Sequence, residues 1–180
     1  FCYCLLLLLM GRVNPFIFLK KYVGDMLQIF SLGSSNAAIP ISIRACREKF
    51  GVSQKVYALS IPLGATVNMD GTCIYLMVFG LALARVFGIE VGGGSLLAMY
   101  VSVLVLSVGA PGIPGAGLVC LSVLLNQIGV PMTAVGVVMG IDPLLGMLRA
   151  MSNSLGDMVG TLVVARSEKL LDLEKYNGKA

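Results

Sequence analysis

No aspartate, glutamate, lysine or arginine occurs from residue 91 to residue 141, a run of 51 residues. As one helix it would be about 77 Å long at ~1.5 Å per residue, against a hydrocarbon core of about 30 Å. The run must therefore fold back at least once. A soluble domain of 180 residues lacks the interior volume to bury so much apolar surface. Charged residues make up 12% of the chain, against roughly 25% in an average soluble domain, and they cluster outside the run. The chain reads as an integral membrane protein.

The break in the run is SVGAPGIPGAG (107–117), with four glycines and two prolines in eleven residues. Proline removes a backbone donor and glycine relaxes the helix. The flanking LLAMYVSVLVL and LVCLSVLLNQI are each too short to span easily. A re-entrant hairpin over 91–130 is predicted, followed by a final transmembrane helix over 131–166 and a charged cytosolic tail over 167–180.

The N-terminal half has the same rhythm. FCYCLLLLLM has no initiator methionine and no basic flank, which disfavours a signal peptide. Residues 1–13 read as the tail of a truncated transmembrane helix. Lys20 and Lys21 precede an apolar stretch, and Arg44, Arg47, Lys49 and Lys55 follow it. Basic residues at both ends prefer the cytoplasmic side, so a first re-entrant hairpin over 14–50, with GSSN at its tip, meets the rule. An ordinary span with a kink is the other reading. Residues 51–90 form a helix interrupted by NMDG. The fold class is thus an all-α membrane protein: two re-entrant hairpins and discontinuous transmembrane helices in an inverted repeat. That arrangement marks secondary transporters.

Why does a lipid-length segment carry Asn68, Asp70 and Gly71 at its centre? Unwinding there frees carbonyls, which together with Asp70 would hold a cation. In the last helix Asp142, Arg149, Asn153 and Asp157 follow at steps of 7, 4 and 4, within roughly a 100° arc of one face. A charge at the bilayer centre costs about 2.5–3.5 kcal/mol on insertion scales, so such residues turn inward and find partners. They would either neutralise one another and hold the bundle together, or bind. Carboxylates and amides are hard ligands suited to an alkali cation. Histidine is absent and the five cysteines have no ligand spacing, which disfavours zinc. Helix N-termini at the hairpin tips favour an anionic group, and Arg149 suits a carboxylate. The net charge of +4 is modest and sits at membrane edges, so no nucleic-acid partner is expected. No nucleophile–base pair suggests an enzyme.

With GSSNAAIP (33–40), PLGATVNMDGT (62–72), SVGAPGIPGAG (107–117) and DPLLGMLRAMSNSLGD (142–157), in that order, the chain resembles the dicarboxylate/amino-acid:cation symporter family, the glutamate-transporter family. The likeness runs from about residue 14 to 169. Inverted repeats are described for this very family, so the repeat and the resemblance count once.

The resemblance implies roles. Gly64, Asn68, Asn153 and Asp157 would form one sodium site. Thr66, with the backbone of Ser107, Val108 and Ala110, would form a second. Asn68 and Asp70 would contribute to a third. Substrate contacts would be Ser35, Thr72, Ile113, Gly117, Arg149 and Asn153, with the second hairpin as gate. It also implies an elevator-type transport domain, a homotrimer built through an N-terminal scaffold not in this sequence, lipid neighbours, and a multi-pass place in the cell (inner) membrane. Protons are the alternative to sodium.

This chain departs from the family pattern. Gly146 stands where amino-acid carriers have an aspartate for the substrate amine, Ala150 where a threonine is usual, Pro111 where small residues are common, and Gly33 where some members have arginine. The expected cargo is an anionic solute: a C4-dicarboxylate, or an acidic amino acid. A channel-like protein and a neutral amino-acid symporter are the alternatives.

Overall fold

The computed structural model describes residues 2–178. Phe1 of the first expected segment, and Lys179 and Ala180 of the tail, lie outside them. Among the described residues the regular structure is helical, with one isolated bridge between Val52 and Leu171.

The first helix, α1 (Cys2–Leu6), runs into a π-helical turn, Leu7–Gly11, and stops at Arg12 in the left-handed region (φ 49). Helix α2 (Pro15–Leu32) begins with a cap: the Asn14 side chain accepts from the Phe16 amide at 2.9 Å, and Pro15 opens the first turn. It ends at Gly33, whose φ of 60 suits glycine. Ser34 caps α3 (Ser35–Ala45) by accepting from the Ala37 amide. A π-helical turn, Cys46–Phe50, follows. Helices α2 and α3 thus form a hairpin with its tip at 33–34.

Helices α4 (Gln54–Val67) and α5 (Asp70–Val86) are one helical rod broken at Asn68 and Met69, whose dihedrals (φ −90, ψ 80; φ −108, ψ 46) are not helical. Together, as Gln54–Val86, they are long and apolar enough to cross a membrane. Helices α6 (Gly93–Val108) and α7 (Ala116–Gln127) form the second hairpin, its tip the glycine-proline segment between them.

The expected single helix over 131–166 is divided. Helix α8 (Thr133–Met139) and helix α9 (Asp142–Ser167) meet at a bend of 73°. Pro143, in the first turn of α9, has no N–H to give a preceding turn, and its ring excludes the carbonyl that would precede it. Gly140 offers nothing to hold the helix straight. A short helix, α10 (Leu173–Tyr176), capped by the Asp172 side chain, lies beyond α9.

Two apolar clusters result. One joins α2, α3, the start of α4, the later part of α9 and the tail; the other joins α5, α6, α7 and α8. Helix α9 packs against α2, α4 and α5, between the clusters. Its polar face therefore points at both halves.

Candidate functional site

Asp142, Arg149, Asn153 and Asp157 of α9 are all buried, none more than 8% exposed. Arg149 is enclosed. Its Nη1 donates to Asp142 Oδ1 at 3.1 Å, and its guanidinium lies 4.1 Å from the centroid of the Tyr75 ring. On the other side runs the backbone of α7, where a Cβ on Gly117 would overlap the guanidinium. This buried cation is held by a carboxylate and an aromatic face.

Asn153, one turn on, ties three elements together. Its Oδ1 accepts from the Gly71 amide at 2.8 Å, at the start of α5. Its Nδ2 donates toward Met69 Sδ at 3.0 Å and Ser35 Oγ at 3.3 Å. Gly71 permits this closeness: a Cβ there would stand 2.9 Å from the Arg149 carbonyl. The helix break thus exists where α5 begins against α9.

Asn68 turns its Nδ2 onto Asp157 Oδ1 and the Asn153 carbonyl, both at 3.1 Å. A Cβ on Gly64 would lie 2.5 Å from Asp157 Oδ1. Gly64, Asn68, Asn153 and Asp157 therefore meet at one point, where the Asp157 carboxylate and the Asn153 main-chain carbonyl both take the Asn68 amide nitrogen.

In the other two expected cation sets the side chains make mostly local bonds, although helices α4 and α6 touch. Thr66 is exposed and its hydroxyl donates to the Leu63 carbonyl at 2.8 Å, a local bond that serine and threonine make readily in helices. Ser107 likewise donates to the Leu104 carbonyl, and accepts from the Cys73 thiol. Val108 is 52% exposed, while Ala110 lines the cavity described next. Asp70 accepts from its neighbour, the Gly71 amide, at 2.9 Å, on the far side of the break from Asn68. Among the described residues no three His, Cys, Asp or Glu side chains converge as a metal centre.

All six residues expected to touch a solute, Ser35, Thr72, Ile113, Gly117, Arg149 and Asn153, line a single cavity of about 30 Å³. That is room for roughly two waters. Gly146, Ala150, Pro111 and Gly33 border it too. A Cβ at Gly146 would stand 3.4 Å from Arg149 Nη2. The hairpin tips close over this cavity. The Gly112 carbonyl accepts from Ser34 Oγ at 2.7 Å and from the Asn36 amide at 3.2 Å.

Three participants escaped the reading of the sequence. Tyr75 follows Gly71 by one helical turn, so its spacing toward α9 was visible. Met69 looked like filler within NMDG. The tip-to-tip bond left no signal beyond Ser34 as a capping residue.

A helical fold whose outer faces are aliphatic, and whose interior gathers an arginine, carboxylates and amides round a small cavity, defines the class of membrane transport proteins. The chain belongs to the sodium:dicarboxylate symporter family, whose model matches residues 1–167. It is 34% identical over 165 residues to excitatory amino acid transporter 3 of Mus musculus, covering 92% of this chain and 32% of that protein. It is 34% identical over 172 residues to excitatory amino acid transporter 4 of the same species, covering 95% and 31%. It is 33% identical over 160 residues to excitatory amino acid transporter 1 of Homo sapiens, covering 89% and 30%. The chain spans about a third of the length of these relatives. The family and these relatives are transporters, not enzymes.

Proposed function

We propose that this chain is the cation- and solute-binding part of a sodium-coupled symporter for an anionic solute, working as an elevator-type transport domain in a multi-pass, inner-membrane protein assembled as a homotrimer. The observation that carries this reading is the shared cavity: six residues from five separate segments converge on it, with Arg149 in its wall and the Gly64–Asn68–Asn153–Asp157 cluster beside it. One buried asparagine, Asn153, belongs to both sets. A cation drawn to Asp157 would take Asn68 from its present bond, and Asn153 would carry the change to the solute. The two hairpins enter the membrane from opposite faces as an inverted repeat, and the second is the gate. The contact between the tips over the cavity supports a carrier over an open channel. A buried arginine supports an anionic solute over a neutral amino acid.

Relatives named as excitatory amino acid transporters point to acidic amino acids. Gly146 points elsewhere, because the cavity wall offers no carboxylate for an ammonium at that position. An unpaired amine buried there would cost several kcal/mol, so C4-dicarboxylates are the preferred cargo. Uptake of labelled succinate and aspartate by the full-length protein in liposomes, with sodium, potassium or proton gradients, tests both claims. Sodium-dependent succinate uptake, outcompeting aspartate, is expected. Aspartate uptake that ignores succinate would overturn the cargo, and uptake driven by protons alone would overturn sodium. Asp157→Ala should weaken sodium dependence by about tenfold or more while sparing solute affinity at saturating sodium, since it removes a charge-assisted contact. An unchanged sodium dependence would remove Asp157 from the cation site.

A further inference from the structure

The charged C-terminal segment does not hang free. Tyr176 is 0% exposed, and its ring packs on Phe50 with centroids 5.9 Å apart. Its hydroxyl donates to the Asn14 carbonyl at 2.9 Å. Burial pushes that phenol up to about 12, so it keeps its proton under ordinary conditions. Leu170 and Asp172 form backbone bonds with the segment after α3: the Ser53 amide donates to the Leu170 carbonyl, and the Asp172 amide to the Gly51 carbonyl, both at 3.0 Å. Gly51 is required for this approach. Its φ is +68, and a Cβ there would lie 2.9 Å from that of Asp172. Lys21 closes the ring, its amine donating to the Lys49 carbonyl at 3.0 Å and the Lys175 carbonyl at 2.7 Å.

These bonds reach both ends of the first hairpin: Asn14 and Lys21 where it begins, Phe50 to Ser53 where it finishes. The second hairpin has no such tie among the described residues. Around its ends, Gly92, Gly93, Gly94 and Gly129 have open space where a side chain would stand.

We propose that residues 168–178 are an intramolecular strap that clamps the base of the first hairpin and makes it the static wall of the cavity. Helix α2 carries any loosening at the base to the tip about 27 Å away at ~1.5 Å per residue. There Ser34 and Asn36 hold the Gly112 carbonyl, so a slack base would also weaken the contact between tips. The proposal rests on the second hairpin being the moving element of a carrier.

Hydrogen–deuterium exchange on the full-length protein in nanodiscs tests it without any transport assay. Tyr176→Ala is expected to raise exchange across residues 15–50 about tenfold by lowering the free energy of local opening, with residues 93–127 unchanged. Should that variant fail to fold, Tyr176→Phe keeps the ring and deletes only the bond to Asn14, and is expected to raise the same peptides by a smaller factor. Adding a synthetic peptide of residues 168–178 to protein truncated after Ser167 is expected to restore protection. No rise in the first hairpin, or an equal rise in both hairpins, overturns the strap. Loss of sodium dependence in wild-type uptake would instead overturn the transport reading and leave the exchange result standing.

Discussion

The two helical hairpins are close to the same length and held by different physics. In the first, Phe18, Tyr22, Phe50 and Tyr176 stack with centroids 5.4 to 6.2 Å apart. Tyr22 shares a 3.0 Å hydrogen bond with Ser42, and the buried Asp25 carboxylate takes the Lys49 amine at 2.6 Å. In the second, α6 buries only Met99, Val103 and Ser107, while Leu97, Val105 and Val119 are about two-thirds exposed. Its interior is mostly aliphatic, and the Ser107 and Ser122 hydroxyls donate within their own helices. In lipid an aliphatic face gains little from another aliphatic face beyond contact. Aromatic stacking, buried hydrogen bonds and an ion pair remain favourable there. The same topology therefore holds the first hairpin by directional contacts and the second by aliphatic packing.

The largest expected effect contrasts a buried ring of the first hairpin with an outer position of the second. Phe50→Ala should cost about 3–5 kcal/mol by cavity formation, whereas Leu104→Ala, on a lipid-facing position, should stay within about 0.5 kcal/mol. Thermal melting in detergent reads both, and equal losses would break the contrast. Next comes Gly117→Ala. The new methyl group would displace the Arg149 guanidinium at a strain of about 1–3 kcal/mol, lowering solute affinity by roughly 5- to 150-fold. Gly24→Ala, in the first hairpin, meets open space and should leave affinity untouched. Calorimetric titration with a dicarboxylate decides it. Ser34→Ala removes both a cap and a bond between tips, about 2 kcal/mol together. Labelling of Val108→Cys in a cysteine-free background should then rise several-fold without ligand, and wild-type labelling should fall when sodium and solute are added. Smallest is Tyr22→Phe, about 1 kcal/mol for one hydrogen bond, seen as faster exchange in α2 alone.

Much of this layout was legible in the sequence because apolar length and helix breakers are local signals. NMDG breaks the rod where an amide, a carboxylate and a glycine interrupt an apolar stretch, and α9 keeps its polar residues on one face because their spacing is helical. The division at Gly140 was not read, although Asp142-Pro143 is a recognisable helix start. The polar count of the last helix masked it. The tail misled for a different reason. Six charges among residues 166–175 suggest a solvated end, yet Tyr176, a single buried ring, decides where the segment lies. The Arg149–Asp142 pair shared a face in the sequence, but Tyr75 and Gly117 complete the enclosure from other helices. Contacts across elements depend on packing, which no local pattern encodes. The same holds for Thr66: its hydroxyl is satisfied within its own turn, and the sequence does not show which acceptor wins.

The cavity has room for roughly two waters as it stands, and for the proposed cargo this has a consequence for time rather than affinity. If the second hairpin is the proposed gate, entry and opening would be one sequence of events, with the parting of Gly112 from Ser34 and Asn36 as a required step. Stopped-flow traces of solute binding would show an observed rate that rises with concentration and then levels off, at a ceiling set by that parting. Departure would inherit the same step, so a weakly held solute would still leave slowly.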